Sequence, residues 1–221
     1  MTNGMKLDWD ELVKITVKIS AEVTDEEGNL KLLPSSYWLN NWSAEQRMAW
    51  CNAIGMYLIP TKELVEWIQR RIIKGRKAIE VGAGHGELGR FLGIPSTDNY
   101  SFLEDPEIIR RRSSIGLTPP IYSNRVEKLE ALEAVNKYKP EVVIASWVDD
   151  QYDYGKLVPY GINEVAITEK AEYLFIGHEG QHTFERKAVF KKPHRKLKFP
   201  WLLSRPRDLA GNAIWHFQCQ Q

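Results

Sequence analysis

Glu80, Gly82, Gly84 and Gly86 stand in the stretch AIEVGAGHGELGRFL, where a carboxylate is followed by three positions without side chains at alternate places. An apolar run precedes them and an amphipathic stretch follows, so the sequence predicts a strand, a bare turn and a helix. In an open α/β sheet such a turn lies at the carboxyl edge of the strand, where ligands bind. Glycines suit it because backbone can then approach a ligand closely and take φ above zero. Two phosphate-binding patterns fit poorly. A dinucleotide fingerprint, G-x-G-x-x-G, would put Glu87 where its last glycine belongs, an anion facing a pyrophosphate, and no G-K-[ST] follows to make a phosphate loop.

The elements that must position this turn can be read around it. From Arg76 onward short apolar runs alternate with helical segments, which predicts a mostly parallel sheet covered on both faces. The clearest strands are KAIEV (77 to 81), EVVIASWV (141 to 148) and EYLFIG (172 to 177). Fainter ones are YSFLE or the GIPSTD before it, PIYS, RKAVFK and the final AIWHFQC, with helices at 86 to 92, 105 to 113, 125 to 137 and 163 to 171. Residues 1 to 75 read as a mostly helical extension: the first half of MKLDWDELVKITVKISAEV, a turn-rich loop or hairpin, a helix capped by Ser43, and another from Pro60 and Thr61 to Gly75.

The 221 residues suffice for one α/β domain with an extension, and 43% hydrophobic with 27% charged residues is the composition of an ordinary globular chain. No stretch approaches the roughly 18 apolar residues of a membrane span, and MTNGMKLDWDELVK lacks a signal-peptide pattern, so a cytoplasmic protein that does not engage membranes is expected. Cys51 and Cys219 are far apart and lack metal spacing; both are expected to be reduced thiols, and no metal site is expected. The net charge of +1 conceals a basic tract: nine Lys and Arg residues fall between Arg186 and Arg207, after the acid Glu185.

The pattern E-x-G-x-G-x-G between a strand and a helix resembles the first motif of the class I, Rossmann-like S-adenosylmethionine-dependent methyltransferases. The resemblance implies a three-layer α/β sandwich with a seven-stranded, mostly parallel sheet and an antiparallel last strand, spanning 76 to 221. The segment 1 to 75 then partly covers the pocket for cofactor and acceptor. The resemblance also implies that Gly82, Ala83, Gly84 and Gly86 line the methionine and ribose of S-adenosylmethionine, and that Glu80 helps hold its ammonium. An anion suits that task, because this cofactor carries an ammonium and a sulfonium and no phosphate. The family expects an acid after the second strand to accept from the ribose hydroxyls; Asp98 and Glu104 both qualify, twelve and eighteen residues after Gly86. Thr61 opens a segment, YLIPTKELVEWI, similar to one that lies over the cofactor in several family members.

Methyl transfer from a sulfonium chiefly requires alignment, with a base only where the acceptor is protonated. In ASWVDDQYDYG, after the fourth strand, Asp149, Asp150 and Tyr152 are candidates for that role, and Trp147 for a pocket wall. His178, in IGHEGQHTF after the fifth strand, is a further candidate base. The N/D-P-P-Y/F motif of DNA amino-methyltransferases is missing here, and neither cysteine is placed to serve a C5-cytosine enzyme. His194, Trp201 and Arg205 are the members of the basic tract expected to touch an acceptor. The expectation is therefore a methyltransferase for a small or nucleotide-like molecule. The alternatives are an RNA or other nucleic-acid methyltransferase using residues 186 to 207, and a noncatalytic cofactor-binding subunit. Oligomeric state is not legible.

Overall fold

The computed structural model describes residues 9 to 114, 116 to 153, 156 to 157, 161 to 183 and 187 to 219. Its N-terminal part contains helices α1 (Trp9–Val23), α2 (Ser35–Asn41) and α3 (Ala44–Ile54). α1 is helical throughout, beyond the expected first half, because Ile19 and Val23, one turn apart, are buried while Val13 and Val17 face outward. α3 starts at a full capping box: Ser43 accepts from the Gln46 amide, and the Gln46 side chain accepts from the Ser43 amide. Ile19, Trp38, Trp42 and Trp50 fill a core of their own between these helices, so these tryptophans are packing residues rather than a pocket lining. Cys51 lies in that core, where burial pushes its thiol up to about 12.

Next comes α4 (Lys62–Trp67), continued by a π-helical turn over Ile68–Ile73 whose buried face is Ile68, Ile72 and Ile73. The sheet and its connections follow: β1 (Ala78–Val81), α5 (Glu87–Leu92), β2 (Ser96–Asp98), α6 (Ser101–Glu104), α7 (Pro106–Ser114), β3 (Val126–Lys128), α8 (Ala131–Tyr138), β4 (Val142–Ser146), α9 (Glu164–Thr168), β5 (Glu172–His178), β6 (Arg195–Leu197) and β7 (Asn212–Phe217). The strand order is β3-β2-β1-β4-β5-β7-β6. The strands from β3 to β5 pair in parallel, and β7 runs antiparallel to both β5 and β6. This is a Rossmann-like three-layer α/β sandwich, with the antiparallel final strand that the sequence led us to expect.

Alternation along β4 shows how the layers form. Val143 and Ala145 join Ile79, Val81, Tyr173 and Phe175 against α8 and α9, while Val142 and Ile144 join Leu174 and Ile176 against α4 and α5. The sheet's second covering layer therefore draws on residues from Leu58 onward.

Of four weak readings, two are resolved and two are corrected. Of the two options around residue 100, Ser96–Asp98 is the strand and Ser101–Glu104 is a helix. Asp98 accepts the Tyr100 amide and Asn99 accepts the Ser101 amide, which turns the chain at once into α6. PIYS is not a strand; the pairing falls on Val126–Lys128, inside the expected helix of 125 to 137, which begins only at Ala131. RKAVFK forms a short 3₁₀ turn at Ala188–Lys191, and its Val189 and Phe190 are buried by turning under the sheet rather than by pairing with it. The turn-rich segment after α1 closes as an isolated bridge, Thr24 to Leu30, ahead of the unforeseen α2.

Candidate functional site

β1, β2 and β4 end side by side at a cavity bordered by Glu80, Gly82, Ala83, Gly84, Asp98 and Trp147. The turn after β1 has φ of 59°, 53° and 73° at Gly82, Gly84 and Gly86. At Gly82 a Cβ would come within 2.4 Å of Val148 Cγ1, so the bare position is needed for protein packing as well as for ligand approach. Ala83 is fixed by its amide, which donates to the Thr97 carbonyl at 3.0 Å. Gly86 lies deeper than its neighbours, against Val126 and behind the cavity wall.

Glu80 borders the cavity while almost fully buried. Its Oε2 accepts from the Gly89 amide and from Ser96 Oγ, each at 2.9 Å. Burial pushes its carboxyl up to about 7, against the opposing pull of those two hydrogen bonds. As pH rises from the ordinary glutamate range to about 7, the folded chain keeps a proton that the unfolded chain has released, so stability declines across that window. Glu80→Gln is expected to remove this decline. Urea melts should show the variant gaining on the parent by up to roughly 3 kcal/mol between about pH 4 and about pH 8; a constant difference would count against a protonated Glu80.

Asp98 closes β2 with both oxygens engaged: Oδ2 accepts the Gly84 amide at 3.0 Å and Oδ1 the Tyr100 amide at 2.9 Å. Burial nonetheless pushes its carboxyl up. Glu104 is placed elsewhere. It lies on the exposed α6, paired with Lys128 at 2.5 Å, and does not border the cavity. Thr61 is also outside the lining: its hydroxyl caps α4 by accepting the Leu64 amide and donates to the Trp201 carbonyl at 3.1 Å. Its neighbour Pro60 takes the place at the wall.

The four candidate bases separate. Asp149 borders the cavity and is paired with Arg112, whose guanidinium also lies 4.3 Å from the Phe102 ring centre. Asp150 turns inward, where its Oδ2 accepts the Ala188 amide at 3.0 Å. His178 is buried with both ring nitrogens occupied, Nδ1 accepting from the Gly180 amide at 3.0 Å and Nε2 lying 2.9 Å from the Asp208 carbonyl. Neither Asp150 nor His178 is presented to the cavity. Tyr152 falls in a two-residue strand, Tyr152–Asp153, and its side chain lies outside the described residues. Among the described residues no cluster of His, Cys, Asp and Glu is arranged to hold a metal.

The basic tract is largely paired with acids. Lys187 meets Glu164, Lys192 meets Glu169, Lys196 and Lys198 both meet Glu179, and Arg207 lies 3.8 Å from Glu45. Arg186 lies outside the described residues. His194 packs on Phe217, which pairs with Tyr173 near the start of β5, so it sits at the end of the sheet opposite the cavity. Trp201 stacks on Phe199 with ring centres 4.2 Å apart and against Trp67, anchoring the segment to the sheet's covering layer. Of the three acceptor candidates in the tract, only Arg205 touches residues of the cavity lining, its guanidinium packing over Trp147 and Tyr57.

Trp147 has φ of 57°, a left-handed conformation that is costly for a side chain of this size. Its Nε1 is buried without a hydrogen-bond partner. Tyr57, Arg112 and Pro120 line the cavity, Tyr122 stands beside Asp98, and none of the four was foreseen. They come from loops and a helix with no motif spacing, although the proline pair in LTPPIYS signals a stiff segment. That segment sets Pro120 at the wall, 3.4 Å from where a Cβ on Gly84 would stand. Tyr122 stacks on Tyr100 with centres 4.1 Å apart, and its phenol is pushed up by burial and by Asp98.

No family model and no curated protein matches the sequence. Solved structures similar to this chain include the protein 1320 of Thermoplasma acidophilum, 16% identical over 80% of this chain and 96% of its own, with a TM-score of 0.35. The mitomycin 7-O-methyltransferase MmcR is 14% identical over 96% of this chain and 67% of its own, with a TM-score of 0.35. An O-methyltransferase family protein from Burkholderia thailandensis is 10% identical over 97% and 74%, with a TM-score of 0.34. Methyltransferases are thus among the structures this chain resembles, and the strand order itself carries the fold class. Among the described residues no helix is long and apolar enough to cross a membrane.

Proposed function

We propose that this chain is an S-adenosylmethionine-dependent methyltransferase for a small acceptor, with residues 1 to 75 serving as the cover of its pocket. The observation that carries the reading is the pair of carboxylates, Glu80 and Asp98, flanking a side-chain-free turn at the carboxyl edge of the sheet. This set fits the cofactor's chemistry: among the described residues of the lining the one arginine, Arg112, is already paired with Asp149, so the wall favours a cationic, phosphate-free nucleoside over a dinucleotide. When bound, the cofactor would supply an electrophilic methyl group on a sulfonium. Glu80 would face its ammonium and Asp98 its ribose hydroxyls, while Ala83 and Gly84 line the space between.

The chain's own contribution is alignment and exclusion of water. Trp147 and Tyr57 wall the acceptor side, and Asp149 is the candidate base that borders the cavity. Pairing of Lys192, Lys196 and Lys198 with acids removes much of the charge a nucleic-acid surface would use, which favours a small acceptor over RNA. The inward engagement of Asp150 and His178 supports a second reading, a cofactor-binding subunit without turnover.

Calorimetric titration with S-adenosylhomocysteine tests the proposal. The parent chain is expected to bind it and Gly84→Arg to lose at least about a hundredfold in affinity, because an arginine there needs a strained positive φ and fills the space beside Pro120. Repeating the titration in buffers of different ionisation enthalpy should reveal a proton leaving Glu80 as it meets the ammonium. A parent chain that fails to bind overturns the reading; binding without turnover on any acceptor pool would favour the subunit.

A further inference from the structure

A short antiparallel ribbon joins Leu58–Ile59 to Leu203–Ser204, and its register sets Arg205 beside Tyr57, the Arg205 amide donating to the Tyr57 carbonyl at 3.0 Å. The Arg205 guanidinium then lies 4.5 Å from the Tyr57 ring centre and 5.6 Å from that of Trp147, with the two rings 6.0 Å apart. Aromatic rings cover the faces of a guanidinium and leave its in-plane N–H groups free. Tyr57, Cys51 and Arg112 act on Arg205 by charge, the Tyr57 hydroxyl also lies within reach of its guanidinium, and no carboxylate among the described residues pairs with it. Two further donors in the same cluster lack partners of good hydrogen-bond geometry: the Tyr57 hydroxyl and the Trp147 indole N–H are both buried. A part-buried cation without a counter-ion, beside two buried donors without acceptors, is costly unless a ligand supplies acceptor oxygens.

We propose that Arg205, Tyr57 and Trp147 bind the carboxylate of the methyl acceptor, making the substrate a small monocarboxylic acid with a flat or apolar body. The proposal rests on the methyltransferase reading above. A planar guanidinium edge matches a carboxylate bidentately. A dianionic phosphate is disfavoured, because Asp149 stands at the same cavity and has already neutralised Arg112. The body of the acid would lie on the aromatic and apolar lining supplied by Tyr57, Trp147, Met56 and Phe102.

The test uses benzoate and its neutral isostere benzamide, titrated into the full chain both free and saturated with S-adenosylhomocysteine. The indole N–H resonance of Trp147 is followed by NMR, assigned through its loss in Trp147→Phe. Benzoate is expected to shift that resonance and to bind at least about tenfold more tightly than benzamide. Arg205→Gln should abolish the preference, and Arg205→Lys should retain part of it. Both variants should keep S-adenosylhomocysteine affinity within about twofold, which also shows that they fold. Equal binding of benzoate and benzamide overturns the proposal. So does a loss of S-adenosylhomocysteine affinity in Arg205→Gln with benzoate binding unchanged, which would give the guanidinium to the cofactor's own carboxylate. A parent chain that binds benzoate as described but not S-adenosylhomocysteine upholds the carboxylate site and removes only the methyltransferase reading.

Discussion

Lys187→Met is expected to melt roughly 10 °C below the parent, a loss of about 3 to 5 kcal/mol. Lys187 and Glu164 are both buried, their charged atoms 2.5 Å apart, under the face of the sheet that carries α8 and α9. The Glu164 carboxylate also accepts from the Tyr173 hydroxyl at 2.6 Å, and the ammonium rests 4.1 Å from the Phe175 ring centre. Removing the lysine leaves an anion without water or counter-charge. The pair itself contributes much less, because two desolvation costs offset the attraction. The double variant Lys187→Met with Glu164→Leu should therefore recover most of the loss, and thermal denaturation of the four members of the cycle measures the coupling directly. Additive losses would mean that the two groups do not act as a pair.

The second large effect tests the proposed cofactor site. Asp98→Asn is expected to weaken S-adenosylhomocysteine binding by about a hundredfold, since two charge-assisted hydrogen bonds to the ribose hydroxyls would be lost or inverted. Glu104→Gln should leave affinity unchanged, because Glu104 is exposed and paired with Lys128 away from the cavity. Calorimetry on the two variants side by side separates the acids that the sequence left in competition. An equal effect, or a larger one at Glu104, would remove the ribose role from Asp98.

The sheet was legible because its strands announce themselves. VVIA and YLFIG are continuous apolar runs, and their residues prove to be buried on both faces. The turn after β1 was legible because three glycines at alternate places have few other uses. Short elements were not: Val126–Lys128 has three residues and a single buried one, too few for any period to show. The fate of each polar side chain was harder still. Asp149 and Asp150 are adjacent and chemically identical, yet one borders the cavity and the other accepts an amide from the next layer, a difference that depends on where Ala188 passes. The surroundings of the basic tract were illegible for a related reason, since composition records charge but not the distant acids, Glu45, Glu164, Glu169 and Glu179, that fold back upon it.

The left-handed backbone at Trp147 ties stability and pocket shape together at a single codon. Glycine would relax that bend by about 1 to 2 kcal/mol, yet it would delete an indole that packs on Tyr57, on His182 and on the sheet's covering layer, a loss of about 3 kcal/mol or more. A lineage driven only toward thermal endurance would therefore keep the tryptophan, and the cavity wall would persist with it.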